Sequence, residues 1–573
     1  MKRGLWTLFW ILVLAMTIWG TYKAIFFGND IDESYAITQS YRLVLGDRLF
    51  KDMWEVHQTS AVFMAPFIYI YRILAGNTIG IVVFLRAVGC FCSLLTAALF
   101  FVALRGYTDK RVALMLSLIV YNYTPKYIQV PEFCLLGFLF TICLVSCLLL
   151  YLKRDKLFWM VMAGISMAGC VLAYPLAAVA AVVIFVLAYL ILRGKADNSK
   201  ALKAVLIMAA TDVILGAAFL AIIFSALSLS DFTRNIQYIL MDGAHQIPMY
   251  VKAYRGLIEA VDLQRYPLIG MVIVEIVSFV MRKKGKGEAT SRLKTPFLLL
   301  CMAGGVLFMI QTRGKEGIRF VDLSYWMYSI LPGLFYVNYR MPYLSGKKEA
   351  SKEEIFSGKM HFLLLWIPLS VFIAAYFQSN LSLYANGGLI LPALLLQLVM
   401  FYSQRSDSLP SRGYMIYILL LFLTIRCICI RFTSVQPRTI FDPMFDTAVG
   451  PLKGVYQTNS EHIMYHSKLD MIQQHVTVDD TLLYMGSDTY LYFFVGNQVG
   501  ISSTISTPTF DEALVAYYEL YPEKMPTVIA LDKYYTSLEQ LEENETFYKW
   551  LSENYDIENP DESYFVDMIY PRR

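Results

Sequence analysis

The sequence predicts a mainly α, polytopic bundle of membrane helices with a small α/β domain at its C-terminal end. Three observations carry that prediction. Of the 573 residues 57% are hydrophobic, mean hydropathy is +0.51 and only 16% are charged, against roughly 25% in a typical soluble domain. A soluble chain of this length has too little interior to hide so much apolar surface. Apolar runs long enough to span a bilayer, about 17 to 25 residues, recur from the N-terminus to residue 431. The net charge of +4 joins two unlike parts: from Thr433 onward there are 8 Lys and Arg against 22 Asp and Glu, while the first 432 residues hold 41 basic and 23 acidic groups. A basic membrane domain, 1–432, is thus expected to precede an acidic domain, 433–573.

The elements follow in order. The run 5–27 after Met-Lys-Arg-Gly is too long for a cleaved leader and lacks an A-x-A-like site, so it reads as a first span with a cytoplasmic N-terminus. In the connection 28–78, Ile37, Tyr41, Val44 and Leu45 have helical spacing from Asp32, with Gly46 as the stop. A second helix is expected from Ala61 to Ala75, and both, within 32–76, are expected to lie along the outer membrane surface. Further spans are predicted near 79–104, 112–130, 133–152, 157–175, 176–192, 204–228, 266–281, 296–311, 325–339, 360–377, 387–403 and 413–431, about thirteen in all. With the N-terminus inside, the basic connections "RGYTDKR", "KRDK", "RGKADNSKALK" and "RKKGKGEATSRLK" all fall in the cytoplasm and the acidic tail outside. In that tail "TLLYM", "YLYFFVG" and "TVIAL" read as strands, and "EHIMYHSKLDMIQQH", "DEALVAYYELY" and "SLEQLEENETFYKWLSENY" as helices, an α/β alternation.

All nine cysteines precede Phe432, in or near apolar runs, and read as small buried thiols. No His, Asp and Glu spacing argues for a metal site, and no glycine pattern argues for a nucleotide cofactor. No feature points to nucleic acid.

Several stretches share an order. Asp32-Glu33 and Tyr35 follow the first helix; "LVLGDRLFKD" comes next, then a proline-bearing helix ending "ILAGN", then "FLRAVGCFCSLLTAALFF" around Arg86. Later come "VPEFCLLGFLFTICL", with Glu132 before a span, and "AGISMAGCVLAYPLAAVAAVVIF". This order resembles the GT-C class of membrane glycosyltransferases, near the protein O-mannosyltransferases and the aminoarabinose transferases that modify lipid A. The resemblance covers residues 1–195 and, more faintly, 310–335 in "GIRFVDLSYWMYSILPGLF". It departs from the family at "VHQTSAVF", where a Lys-Pro-Pro or His-Pro-Pro-like segment is usual.

The resemblance implies an inverting hexosyl- or pentosyltransferase. It would move a sugar from a polyprenyl-phosphate donor to a hydroxyl of a glycan, lipid or protein on the outer face of the cell membrane. Such a reaction needs a base at the acceptor hydroxyl, and Asp32, Glu33 and Glu132 are the candidates. A carboxylate at a helix start is also favourable as a plain cap, by about 0.5–2 kcal/mol; Asp30 is read as that. An ionised Glu132 between two spans costs roughly 2.5–3.5 kcal/mol near bilayer depth, which favours a polar cavity over a simple interfacial position. Lys126 is either its ion partner or a phosphate contact, and His57 is a candidate to orient the acceptor or bind phosphate. His245, Arg313, Lys315 and Arg319 fall on outer loops, against the positive-inside trend. They bind the donor phosphate or pair with Glu316 and Asp322. The alternatives to a transferase are a transporter or flippase of lipid-linked intermediates, and a catalytically inactive scaffold.

Overall fold

The computed structural model describes residues 2–194, 197–240, 247–313, 323–344, 352–379, 382–403, 409–430, 438–439, 441, 443–447, 449–495, 498–505, 511–543 and 545–572. The first half of the helical part comprises α1 (Lys2–Phe26), α2 (Ile31–Leu45), α3 (Ala61–Ala75), α4 (Ile81–Leu104), α5 (Lys110–Asn122), α6 (Phe133–Arg154), α7 (Phe158–Ala173), α8 (Ala177–Arg193) and α9 (Asn198–Phe224). It continues through α10 (Leu229–Leu240), α11 (Met249–Leu263), α12 (Arg265–Lys283), α13 (Lys294–Arg313), α14 (Leu323–Phe335), α15 (Met341–Leu344), α16 (Lys352–Gln378), α17 (Leu391–Ser403) and α18 (Leu409–Ile428). Among the described residues six helices are long and apolar enough to cross a membrane, or seven if the pair α11–α12, bent by 59°, is counted as one span. Four further apolar helices have 10–17 residues. α6 is the hub: 89% of its most apolar window is buried, against α4, α7 and the segments that follow α14.

One predicted span is corrected. The run 112–130 is not a single helix, because α5 stops at Asn122. Pro125 cannot donate an amide hydrogen and disfavours helical geometry in the residue before it. Lys126 and Tyr127 then take left-handed backbone angles, φ 53° and 64°, and the chain becomes a loop up to Glu132.

The two loop helices form where their spacing places them. Asp30 caps α2, its carboxylate accepting from the Asp32 amide at 2.9 Å. Gly46 ends the helix at φ 105°, a conformation a side chain would resist. Arg42 at its end is fully buried and bonds Asp47, Glu55 and the Asp52 carbonyl, which fixes the turn into α3.

After α18 come two short antiparallel pairs, β1 (Cys429–Ile430) with β2 (Arg438–Thr439) and β3 (Phe445–Asp446) with β4 (Tyr456–Gln457). The main sheet has β5 (Thr481–Met485), β6 (Gln498–Val499), β7 (Val528–Asp532), β8 (Asp561–Glu562) and β9 (Val566–Ile569) in the order β6-β5-β7-β9-β8. β5 is parallel to β6 and β7, and β9 runs antiparallel to β7. β5 and β7 are buried throughout, as their unbroken apolar runs require. The flanking helices are α19 (Asn459–His475), α20 (Leu491–Val495), α21 (Asp511–Leu520), α22 (Leu538–Glu542) and α23 (Glu545–Asn554). Within "YLYFFVG", predicted as a strand, Leu491–Val495 form the helix α20 instead. Its aromatics are used in tertiary contacts that override strand propensity: Tyr492 donates back to the Tyr484 carbonyl and accepts from its amide, and Phe493 stacks on Tyr41 at 4.1 Å.

That stacking belongs to a larger fact. The core around the sheet includes Ile37 and Tyr41 of α2, Trp54, and Met64 and Ile68 of α3. The connection between the first and second spans is therefore packed into the same core as the C-terminal α/β unit, and the candidate site lies along this seam.

Candidate active site

Consecutive residues on a helix point about 100° apart, and the first turn of α2 uses this to part its carboxylates. Glu33 faces inward and is 2% exposed. Arg86 of α4 holds both its oxygens, at 2.8 and 2.6 Å, and also donates to the Ile25 and Gly28 carbonyls. Tyr490, from the turn after β5, donates to Glu33 Oε2 at 3.2 Å. Glu33 thus ties together the end of α1, α4 and the C-terminal sheet. Asp32 turns the other way, its side chain 30% exposed, and meets Lys126 Nζ at 2.9 Å.

Lys126 is delivered by the loop 123–132. Two successive left-handed residues without a glycine cost about 1–3 kcal/mol each, so the surroundings must impose them. The Tyr127 hydroxyl donates to the Ile425 carbonyl at 3.0 Å. Arg426 of α18 donates to Thr124 Oγ1 and Gln129 Oε1 at 2.7 and 3.2 Å. From the other side the loop presses on α4 at Gly89, where a Cβ would stand 1.7 Å from the Gln129 carbonyl oxygen. Only glycine permits that approach.

The loop ends at Glu132, which caps α6 by accepting from the Cys134 and Leu135 amides at 2.8 Å each. It is 1% exposed. Burial pushes its carboxyl up to about 7, opposed by the two amides and the Lys126 charge, while the Asp32 charge adds to the rise. The next residue, Phe133, carries the Lys126 ammonium 5.2 Å from its ring centre and the His57 ring stacked at 3.8 Å. His57 itself sits at φ 68°, held between Phe133 and Tyr174.

Three of the sequence-predicted residues, Lys126, Glu132 and His57, are therefore gathered around Phe133; Asp32 joins them through its ion pair with Lys126, and Glu33 is its neighbour on α2. His245, Lys315 and Arg319 lie outside the described residues, as does the side chain of Arg313 at the end of α13. Sequence reasoning passed over two residues that build the site. Lys23 near the end of α1 is buried, donates to the Cys429 carbonyl and lies 4.7 Å from the Tyr127 ring centre. Arg426, equally buried, anchors the Lys126 loop. Both are cations within apolar runs, the signal that marks a functional or structural polar contact in a span. Lys23, Asn29, Asp30, Glu33, Arg86 and Tyr127 together line a cleft where α1 ends.

No family model matches the chain, and no curated protein matches it. Solved structures do. The oligosaccharyltransferase of Archaeoglobus fulgidus in complex with zinc and sulfate is similar at 12% identity and TM-score 0.46, over 91% of this chain and 67% of that one. ArnT from Cupriavidus metallidurans bound to undecaprenyl phosphate is similar at 12% identity and TM-score 0.43, over 99% and 98%. Archaeal AglB from A. fulgidus with an inhibitory peptide and a dolichol-phosphate gives 11% and 0.42, over 91% and 69%. At such identities and scores the likeness by itself assigns no activity.

Proposed function

We propose that the chain is a multi-pass membrane glycosyltransferase that takes a sugar from a polyprenyl-phosphate donor on the outer face of the membrane, with Asp32 as its base. The observation that carries this reading is the division of labour between neighbours. Both Glu33 oxygens are engaged by Arg86, whereas the half-buried Asp32 carboxylate opens to solvent beside Lys126 and Glu132.

In the proposed reaction Asp32 accepts the proton of the acceptor hydroxyl as its oxygen attacks the anomeric carbon. The bond from that carbon to the phosphate oxygen breaks, and the electron pair leaves on the phosphate. A positioned base supplies roughly 10²–10⁴-fold. Lys126 serves both partners: its ammonium balances Asp32 and stands ready for the charge that grows on the departing phosphate. Glu132 anchors the loop by capping α6, and His57 packs the wall behind Phe133.

The test is transfer by the purified protein in lipid, given a panel of radiolabelled polyprenyl-phosphate sugars and a membrane extract. Label passing to an acceptor with at least one donor supports the reading. Movement of intact labelled lipid across the bilayer without transfer assigns the chain to transport instead.

A further inference from the structure

α9 is a 27-residue helix, about 40 Å long at 1.5 Å per residue. Its N-terminal half is packed: Ala201, Ala204, Val205 and Met208 are buried, and the approach to α7 is so close that a Cβ on Gly164 would stand 2.5 Å from the Met208 carbonyl oxygen. Beyond Met208 the helix is largely uncovered, although Thr211 still packs on Gly164 and Ile223 near its end is buried. None of residues 209–222 is buried, and Val213, Ile214 and Ile222 are 64%, 67% and 70% exposed.

Asp212 lies in this stretch, close to the middle of the span. It has no hydrogen-bond or ion-pair partner among the described residues. Its neighbours offer none: the Thr211 hydroxyl is spent on the Ile207 carbonyl, Lys200 at the helix start pairs with Asp155, and Cys170 of α7 is a buried thiol. The side chain is too short to reach the headgroups from mid-span. A carboxylate at that depth is costly, and such groups pair with an opposite charge or a polar cavity. Gly216, one turn further on, would carry a Cβ that meets nothing within 4 Å, so a second helix has room to come close.

We propose that the C-terminal half of α9 is a docking face for a spanning helix of another membrane protein, one that carries a Lys or Arg at the depth of Asp212. Charge complementarity selects this occupant. Lipid tails have no donor to give. A second copy of this chain would bring two carboxylates together; of the cations inside its described spans Lys23, Arg86, Lys252 and Arg426 are buried, and the exposed Arg255 and Arg265 already pair with Glu259 and Asp262. The inference is independent of glycosyl transfer.

The experiment places the fluorescently labelled full-length protein in lipid bilayers with synthetic spanning polyleucine helices that bear one central Lys, Leu or Glu. Energy transfer should show the Lys helix binding roughly tenfold more tightly than the Leu helix, with the Glu helix weakest. Asp212→Leu should erase the preference and Asp212→Glu keep it, with thermal unfolding unchanged in both. Equal binding of all three helices, or a Lys preference that survives Asp212→Leu, overturns the proposal. Association of labelled copies with one another that depends on Asp212 also overturns it, in favour of a homo-oligomer.

Discussion

The Tyr490 hydroxyl donates a hydrogen bond to Glu33 at 3.2 Å, although 457 positions separate the two residues in the chain. Beside it Thr38 donates to the Thr489 carbonyl and Ser34 to the Ser487 carbonyl. The turn after β5 is thereby fastened along one face of α2, and the C-terminal sheet becomes a wall of the proposed site.

This contact predicts a graded pair of variants. Glu33→Ala leaves Arg86 buried without its charge partner and should destabilise by about 3–5 kcal/mol. Tyr490→Phe removes one hydrogen bond to a charged group and should cost about 1.5–3 kcal/mol. Thermal unfolding in detergent or lipid measures both, and the order of the two losses is the check.

Gly89→Ala places a methyl group against the Gln129 carbonyl, so the loop that carries Lys126 must shift away from α4. The expected cost is about 1–3 kcal/mol of overpacking, together with a loss of turnover disproportionate to the loss of folded protein. Normal turnover in a folded Gly89→Ala protein would show that the loop position does not matter.

Glu132 predicts a pH dependence. Its folded value of about 7 lies above the ordinary 4.5. The folded state therefore holds the proton more tightly, and the stability this adds is full below about pH 4.5 and lost as pH rises through 7. At most about 3 kcal/mol is at stake. Wild-type melting temperature should fall between pH 5 and 8 more steeply than that of Glu132→Gln. Identical slopes would remove Glu132 as the titrating group.

Much of this was legible in the sequence. Apolar runs mark the helices because a spanning helix must be apolar along its whole length, and Gly46 ends α2 in left-handed geometry where its position predicts a stop. Asp32, Lys126 and Glu132 stood out because charge at the end of a span needs a reason. The loop at 125–127 was hidden inside an apolar run, since hydropathy does not register the break at Pro125. Arg426 carried a signal as a cation in an apolar run, but its partners, like that of Tyr490, lie hundreds of positions away, and only the tertiary fold brings them together. α20 was misread because its aromatics suit a strand locally but are fixed by Tyr41 and Tyr484.

The central claim is that Asp32 is the base, and the most direct measurement is single-turnover sugar transfer by Asp32→Asn beside wild type. Asn keeps the size of the side chain and removes its basicity. Transfer should fall at least about 10²-fold while the melting temperature and polyprenyl-phosphate binding stay near wild type. Transfer at the wild-type rate in a folded Asp32→Asn protein would contradict the account.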